Sequence, residues 1–178
     1  NFLGLSIQSD QICMVEVSDD RIRSMGTREL VQPFDLHSFQ ETGQFFNHQK
    51  GIIKELYQKT GCRAREVGIV LHGGMVLIKK LPVALGLDER AIEEQLEWEM
   101  KQFLVAQLKD YVYDHVRLPS LSAEGNPFFL VTLIRKDVVR GIRSLVGDIG
   151  LVLKDIDVDV YCSIRTLLAN YSLEDSAT

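Results

Sequence analysis

The sequence lacks the features that mark several common classes of protein. Its three cysteines, Cys13, Cys62 and Cys162, lie far apart and form no Cys-x-x-Cys pair, which gives no sign of a zinc site or a redox motif. No apolar run approaches the ~18 residues of a membrane-spanning helix, and no signal peptide is visible. Because a sparse, odd set of cysteines suits a reducing compartment, we expect a cytoplasmic protein with no direct membrane insertion by this chain.

Positive charge is also scarce. The sequence has 20 lysines and arginines and 25 aspartates and glutamates, which gives a net charge of −5. Because the basic surface of a nucleic-acid binder is missing, we expect no nucleic-acid partner. The histidines His37, His48 and His115 have no ligand spacing, and we expect neither a metal nor a cofactor. Of the 178 residues, 46% are apolar and 25% are charged. This length and composition are typical of one folded domain or of two small subdomains.

The N-terminal part of the sequence alternates apolar and polar residues in short runs separated by polar turns, which favours an antiparallel meander. A run of apolar residues at helical spacing then ends at Gly61, a good helix terminator, and a short apolar strand follows. The predicted strands are 3–7, 12–17, 22–31 and 67–71, and the predicted helix is 45–57. Meander, helix and parallel return form the opening order of the α/β, ribonuclease-H-like fold of actins, an analogy of fold that does not itself imply function.

The next segment predicts a separate small unit of the order strand-helix-strand-strand-helix. Its elements are 75–81, 88–105, 111–118, 128–134 and 138–149. We interpret His72-Gly73-Gly74 before it as a hairpin turn, since no helix follows the glycines and no nucleophile elbow exists for an oxyanion loop to serve. A strand at 151–160 and a helix at 161–171 then return the chain. The expected organisation is a discontinuous actin-like first subdomain, 1–74 and 150–178, with an inserted subdomain, 75–149.

Several motifs in this second half resemble the PilM family of type IV pilus assembly proteins. They are Leu81-Pro82, the helical run Glu93–Phe103 with its Trp-Glu, Tyr113-Asp114, Arg135–Val139, and Gly150-Leu151 with the Asp157-Val158-Asp159 that follows. The resemblance is good over about residues 77–170 and weak over 1–76. It implies an actin-like fold related to FtsA and to the cytoplasmic part of GspL. It also implies a cytoplasmic platform, peripheral to the inner membrane, that docks the cytoplasmic tail of an inner-membrane pilus or secretion protein.

The family's N-terminal phosphate loop is degenerate in this sequence. Its pattern G-[IL]-D-I-G-x-x-x-[IV]-K aligns with Gly4–Cys13. Ser6 replaces the acid that would orient Mg²⁺, Gln8 replaces the glycine that lets backbone amides approach phosphate, and Cys13 replaces the lysine. The family's second lobe also has no counterpart here. Because charge neutralisation and positioning supply nearly all of phosphoryl-transfer catalysis, we expect neither nucleotide binding nor enzyme activity.

Candidate partner-binding residues lie on the predicted acidic helix. The run Glu89, Glu93, Glu94, Glu97, Glu99 is either a solvated face or a guide for a basic tail. Trp98 is either a core residue or a docking residue. We take Glu94, Glu97 and Trp98 as the candidate partner-binding residues.

Asp155, Asp157 and Asp159 alternate along a predicted strand, which places them on one face. They form either a cation site or a solvent-facing edge, and the lack of accompanying ligands favours the edge.

Three classes of function stay open. The sequence favours a non-catalytic scaffold of a type IV pilus or type II secretion platform. The alternatives are an FtsA-like self-assembling filament protein and a sugar-kinase-like nucleotide-dependent enzyme. The residues at Ser6, Gln8 and Cys13 disfavour the enzyme, whereas a homo-oligomer is compatible with the scaffold.

Overall fold

A computed structural model of the chain describes residues 1–31, 33–35, 44–118 and 126–171. Two separate sheets, one of five strands and one of three, organise two compact units. The first unit consists of residues 1–75 and 141–178, and the second of residues 76–140. Within the described part of the chain, no helix has the length and apolar content that crossing a membrane requires.

The first unit is built on the five-stranded sheet, whose order is β3-β2-β1-β4-β8. Its strands are β1 (Phe2–Ile7), β2 (Gln11–Ser18), β3 (Arg21–Glu29), β4 (Glu66–Leu71) and β8 (Val152–Val158). The first three pair antiparallel, which confirms the predicted meander. β4 pairs parallel with β1, as predicted, and β8 pairs parallel with β4. The strand that follows the second unit therefore rejoins the first sheet.

One face of this sheet is packed under the first helix, α1 (Gln44–Thr60). The alternation in β1 puts Leu3, Leu5 and Ile7 fully in the core. On β3, Gly26 leaves room for the helix, since a Cβ there would lie 2.5 Å from Thr60 Cγ2. The helix ends at Gly61, whose positive φ of 67° is the left-handed conformation of a helix terminator and agrees with the prediction.

A buried carboxylate fixes the loop between α1 and β4. Glu16 of β2 is only 3% exposed, and its oxygens accept hydrogen bonds from the N–H groups of Arg63 and Ala64, each at 3.0 Å. These bonds satisfy two backbone donors that a sharp turn would otherwise leave unpaired. Glu16 thus joins the meander to the start of the parallel strand.

The second unit is a three-stranded antiparallel sheet, in the order β5-β7-β6, covered on one face by a helix. Its elements are β5 (Leu77–Pro82), α2 (Glu89–Phe103), β6 (Tyr111–Arg117) and β7 (Phe128–Arg135). Leu96 and Met100 of α2 pack with Val131 and Leu133 of β7 in a buried cluster. Asp88 caps the helix, and its Oδ1 accepts a hydrogen bond from the Ala91 N–H at 2.8 Å.

Two further helices complete the chain, α3 (Lys136–Gly147) and α4 (Asp159–Asn170). The boundary between the compact units falls inside α3, after residue 140. The domain limits predicted from the sequence, 1–74 with 150–178 and 75–149, stay a prediction. The predicted strand 151–160 is too long at its C-terminal end, because Asp159 already belongs to α4.

The prediction of a hairpin at His72-Gly73-Gly74 is wrong, because β4 and β5 belong to different sheets. Gly73–Met75 forms a single 3-10 turn, in which the Met75 N–H donates to the His72 carbonyl at 2.9 Å. The Gly74 N–H donates to His72 Nδ1 at 3.0 Å. This helical turn uses the same small residues as a hairpin, but it leads the chain out of one sheet and into another.

Candidate functional site

The three residues of the degenerate phosphate loop lie together at the hairpin between β1 and β2. Ser6 and Cys13 are directly opposite each other in the sheet. The Gln8 Nε2 donates a hydrogen bond to Ser6 Oγ at 2.9 Å, and the Gln8 N–H donates to the Gln11 carbonyl at 2.9 Å. The hairpin is therefore closed by bonds among its own groups.

These residues do not fit a magnesium nucleotide. A hydroxyl stands where a carboxylate would hold the metal, and the Gln8 side chain replaces a glycine beside which the phosphates would lie. Burial, and secondly the nearby Asp10 carboxylate, raise the pKa of the Cys13 thiol, so this position supplies a neutral group instead of a cation. At the three substituted positions the hairpin offers a hydroxyl, an amide and a thiol, and so neither a carboxylate for the metal nor a cation for the phosphates.

The candidate partner-binding residues Glu94, Glu97 and Trp98 all lie on α2. Trp98 is 59% exposed, so the alternative that it is a core residue is wrong. Glu94 accepts a hydrogen bond from Arg90 Nε at 3.0 Å, and it lies one helical turn before Trp98 on the same side of the helix. Glu97 forms an exposed ion pair with Lys101 one turn along the helix, with 3.4 Å between Oε2 and Nζ.

Glu97 also connects α2 to the sheet beneath it. The Tyr113 hydroxyl on β6 is 3.3 Å from Glu97 Oε1 and 3.3 Å from Glu93 Oε2, and it can donate to one of them at a time. Burial, followed by the two carboxylates, raises the pKa of Tyr113 to about 12. Tyr113 therefore keeps its proton to higher pH than an ordinary tyrosine, and its hydroxyl fixes the acidic side of the helix.

A groove of about 630 Å³ opens beside this contact, between the first turns of α2 and the end of β6. It is lined by Glu89, Arg90, Ile92, Glu93, His115, Arg117 and Phe129. His115 Nδ1 lies 3.6 Å from Glu93 Oε1, and its ring packs against Phe129 at 5.6 Å between centroids. The groove therefore has an apolar wall and a charged rim, with Glu93 shared between the rim and the Tyr113 contact.

No pattern in the sequence predicts Tyr113, His115 or Phe129 as residues of this site. In the sequence, Tyr113 belongs to the Tyr113-Asp114 motif of the family. His115 is one of three histidines whose spacing does not suit a metal site. Glu94, Glu97 and Trp98 do not line the groove, but Glu97 is joined to it through Tyr113. His37 lies outside the described residues.

The three alternating aspartates are separated by the structure. Asp155 and Asp157 lie on β8, whereas Asp159 opens α4. The Asp157 carboxylate pairs with the guanidinium of Arg165 on α4. Among the described residues, no group of three acidic, histidine or cysteine side chains is arranged to hold a metal ion.

The family model of the type IV pilus assembly protein PilM matches residues 4–177. The chain belongs to the PilM family. This confirms the resemblance of the motifs and extends it to the N-terminal part, where the motifs are weak. No curated protein matches the sequence.

Solved structures agree with this assignment at the level of the fold. The chain superposes on the "PilM-PilN type IV pilus biogenesis complex" with a TM-score of 0.75, at 23% identity, covering 94% of this chain and 50% of that one. It superposes on the cytoplasmic domain of EpsL, an inner-membrane component of the type II secretion system of Vibrio cholerae, with a TM-score of 0.55. That match has 12% identity and covers 88% of this chain and 56% of EpsL's.

The PilM-family chain therefore spans about half the length of these two relatives, 50% and 56%. A Bacteroides thetaiotaomicron protein with an actin-like ATPase fold and unknown function is more distant, with a TM-score of 0.44 and 10% identity over 98% of this chain and 58% of that one. The family and the first two structures confirm the predicted actin-like α/β fold class.

Proposed function

We propose that this chain is a non-catalytic, cytoplasmic scaffold of a type IV pilus or type II secretion platform, peripheral to the inner membrane. Its role in the proposal is to dock the cytoplasmic tail of an inner-membrane partner. Membership of the PilM family and the fold shared with the EpsL cytoplasmic domain support the assembly role. The related structure in which PilM is in complex with PilN supports a protein partner.

The observation that carries the proposal is the exposed indole of Trp98 on an acidic helix. A tryptophan that is 59% exposed gains far more by burial against a partner than by remaining in water. Large aromatic residues are enriched among the side chains that carry binding energy at protein interfaces. Glu94 and Glu97 beside it attract a tail with basic residues, mainly by speeding encounter.

The neighbouring groove can bind the residues of the tail that follow those in contact with Trp98. Its apolar wall, Ile92 and Phe129, can take an aliphatic side chain, while Glu89 and Glu93 on its rim can pair with a lysine or an arginine. The contact between Tyr113 and the acidic residues fixes this side of α2 before binding. A preformed surface lowers the entropic cost of docking.

The absence of catalysis is part of the same proposal. The support is the chemistry of the β1–β2 hairpin, where Ser6, Gln8 and Cys13 replace a carboxylate, a glycine and a cation. In this proposal the chain keeps the actin-like fold without these groups, and the second unit presents α2 to the partner.

The test is fluorescence anisotropy with a labelled synthetic peptide of the cytoplasmic tail of PilN from the same organism. We expect micromolar binding, about −8 kcal/mol, and about tenfold weaker binding for Glu97→Lys. The matched control is Glu55→Lys on α1, which removes a comparable exposed pair with Lys59 and is expected to leave the affinity unchanged. A tail that binds both variants and the unmodified chain equally would contradict docking on α2.

A further inference from the structure

A second cleft of the second unit, the basic cleft, is lined by charged side chains. It has a volume of about 370 Å³ and lies between the 3-10 turn Leu108–Asp110, the end of β7 and the first turns of α3. Its lining residues are Lys109, Asp110, Arg135, Lys136, Asp137 and Arg140. These four cations and two carboxylates give the cleft a net charge of +2, whereas the whole chain carries −5.

One of the two carboxylates is already paired inside the cleft. Arg135, the last residue of β7, donates from Nε to Asp137 Oδ1 at 3.0 Å and from Nη2 to Asp137 Oδ2 at 2.5 Å. Asp137 Oδ1 also accepts a hydrogen bond from the Val138 N–H at 2.8 Å, so this carboxylate serves the first turn of α3 as well. Because the ion pair is bidentate, it forms a fixed and neutral wall of the cleft.

The other three cations have no partner of their own. Within the described part of the chain, the exposed side chains of Lys109, Lys136 and Arg140 form no ion pair and no hydrogen bond. Lys136 and Arg140 are one turn apart on α3 and therefore lie on the same side of the helix. Like charges around one cleft repel each other, and only Asp110 offsets them. An anion bound among them would therefore be stabilised.

The charge and the size of the cleft favour a phosphate group as that anion. A phosphate monoester carries about −1.5 to −2 charges at pH 7, which matches the net charge of the cleft. The Arg140 guanidinium can donate two parallel hydrogen bonds to phosphate oxygens, while Lys109 and Lys136 can act as point charges. The volume of about 370 Å³ is in the range of sites that hold small molecules.

Two larger anionic partners fit the cleft less well. Among the described residues, the lining includes no apolar side chain that could hold a lipid chain. A bilayer surface or a nucleic acid is an extended negative surface, which the acidic chain as a whole would repel. A small anion is not repelled in this way, because screening by salt leaves it to interact mainly with the charges nearest to it.

We propose that the basic cleft binds the phosphate group of a small soluble molecule. The cleft lies near Asp110, at the start of β6, whereas the groove beside the proposed docking helix lies near Arg117, at the end of the strand. The two sites are thus about 20 Å apart along β6, and the proposal does not depend on the proposed function. A magnesium nucleotide is not the expected ligand, because its metal ion already neutralises much of the phosphate charge.

Titration with inorganic phosphate at constant ionic strength, followed by heteronuclear NMR, tests the site. We expect saturable shifts of the backbone amides at 109–110 and 135–140, with a Kd of about 1 mM. Acetate carries a single charge and is expected to shift the same amides with at least about tenfold weaker affinity.

A pair of arginine variants on α3 locates the binding to the cleft. Arg140→Gln is expected to weaken phosphate binding by at least about fivefold, because it removes the guanidinium that donates to two phosphate oxygens. The matched control is Arg143→Gln, which changes an exposed arginine of the same helix outside the cleft and should leave the Kd unchanged. The amide spectrum itself shows whether both variants fold.

Three results would each overturn the proposal. The first is the lack of any saturable shift up to about 50 mM phosphate. The second is an equal loss of affinity in Arg140→Gln and Arg143→Gln. The third is an equal response to acetate and phosphate, which would show that the amides report charge screening and not a bound phosphate group.

Discussion

The Tyr113 hydroxyl of β6 lies 3.3 Å from the Glu97 carboxylate of α2, within hydrogen-bonding distance, which ties the acidic helix to the sheet beneath it. Ionisation of Tyr113 would place a third negative charge beside Glu93 and Glu97. This, after burial, is why its pKa is raised to about 12. The contact links the packing of the second unit to the surface on which the proposed partner docks.

Tyr113 should make the stability of the chain sensitive to alkaline pH. Its folded pKa of about 12 lies above the ordinary tyrosine pKa of about 10, so its contribution is fully present below about pH 10 and is lost as pH rises towards about 12. Urea unfolding at about pH 9 and about pH 11 should show a steeper loss for the unmodified chain than for Tyr113→Phe. Equal losses in the two proteins would show that the pKa of Tyr113 is not raised by folding.

Replacing Gln49 by an apolar residue of similar size should make the folded chain more stable. Its side chain is fully buried in α1, and neither Oε1 nor Nε2 has a hydrogen-bond partner among the described residues. Gln49→Met is expected to raise the free energy of unfolding by about 1 kcal/mol, because a buried, unpaired amide is costly. Gln58→Met, at an exposed position of the same helix, is the control and should change little. A loss of stability in Gln49→Met alone would show that the amide is satisfied.

Gly26 should not tolerate alanine. An added Cβ would lie 2.5 Å from Thr60 Cγ2 and 3.0 Å from Leu56 Cδ1, so α1 would have to move away from β3. Gly26→Ala is expected to cost about 1–3 kcal/mol in urea unfolding. At Gly51 of the same helix, where nothing lies within 4 Å of an added Cβ, alanine is expected to stabilise by about 0.5–1 kcal/mol. Equal effects at both glycines would contradict the packing of α1 on β3.

The chain should not bind a magnesium nucleotide. Isothermal titration with Mg-ATP is expected to show no saturable heat, because Ser6, Gln8 and Cys13 supply neither a carboxylate for the metal nor a cation for the phosphates. A Kd in the low micromolar range, about −8 kcal/mol, would contradict the non-catalytic part of the proposed function.

Most of the fold follows from local patterns in the sequence. The alternation of Leu3, Leu5 and Ile7 predicts a strand, and these three residues are buried in β1. The glycine at position 61 predicts the end of α1, and Gly61 has the positive φ, 67°, of a helix terminator. The turn at His72-Gly73-Gly74 is the exception. Small residues are compatible both with a hairpin and with a 3-10 turn, and only the packing of two separate sheets decides between them.

The candidate site depends on contacts between residues far apart in the sequence, which local patterns do not predict. Tyr113 and Glu97 are 16 positions apart, and their meeting depends on how α2 crosses β6. Trp98 lies about 160° around α2 from both Leu96 and Met100, so the periodicity that buries these two residues leaves the indole exposed. Periodicity identifies the helix and its acidic face, but it cannot give the angle at which the helix packs on the sheet.

Trp98 is the one tryptophan of the sequence, so its intrinsic fluorescence reports on α2 alone. The most direct test of the docking scaffold is to titrate the chain with a tryptophan-free peptide of the PilN cytoplasmic tail and to follow this fluorescence. The account predicts a saturable change in intensity or wavelength with a micromolar Kd, as the half-exposed indole becomes covered. A peptide that leaves the emission of Trp98 unchanged up to about 1 mM would contradict docking on this helix.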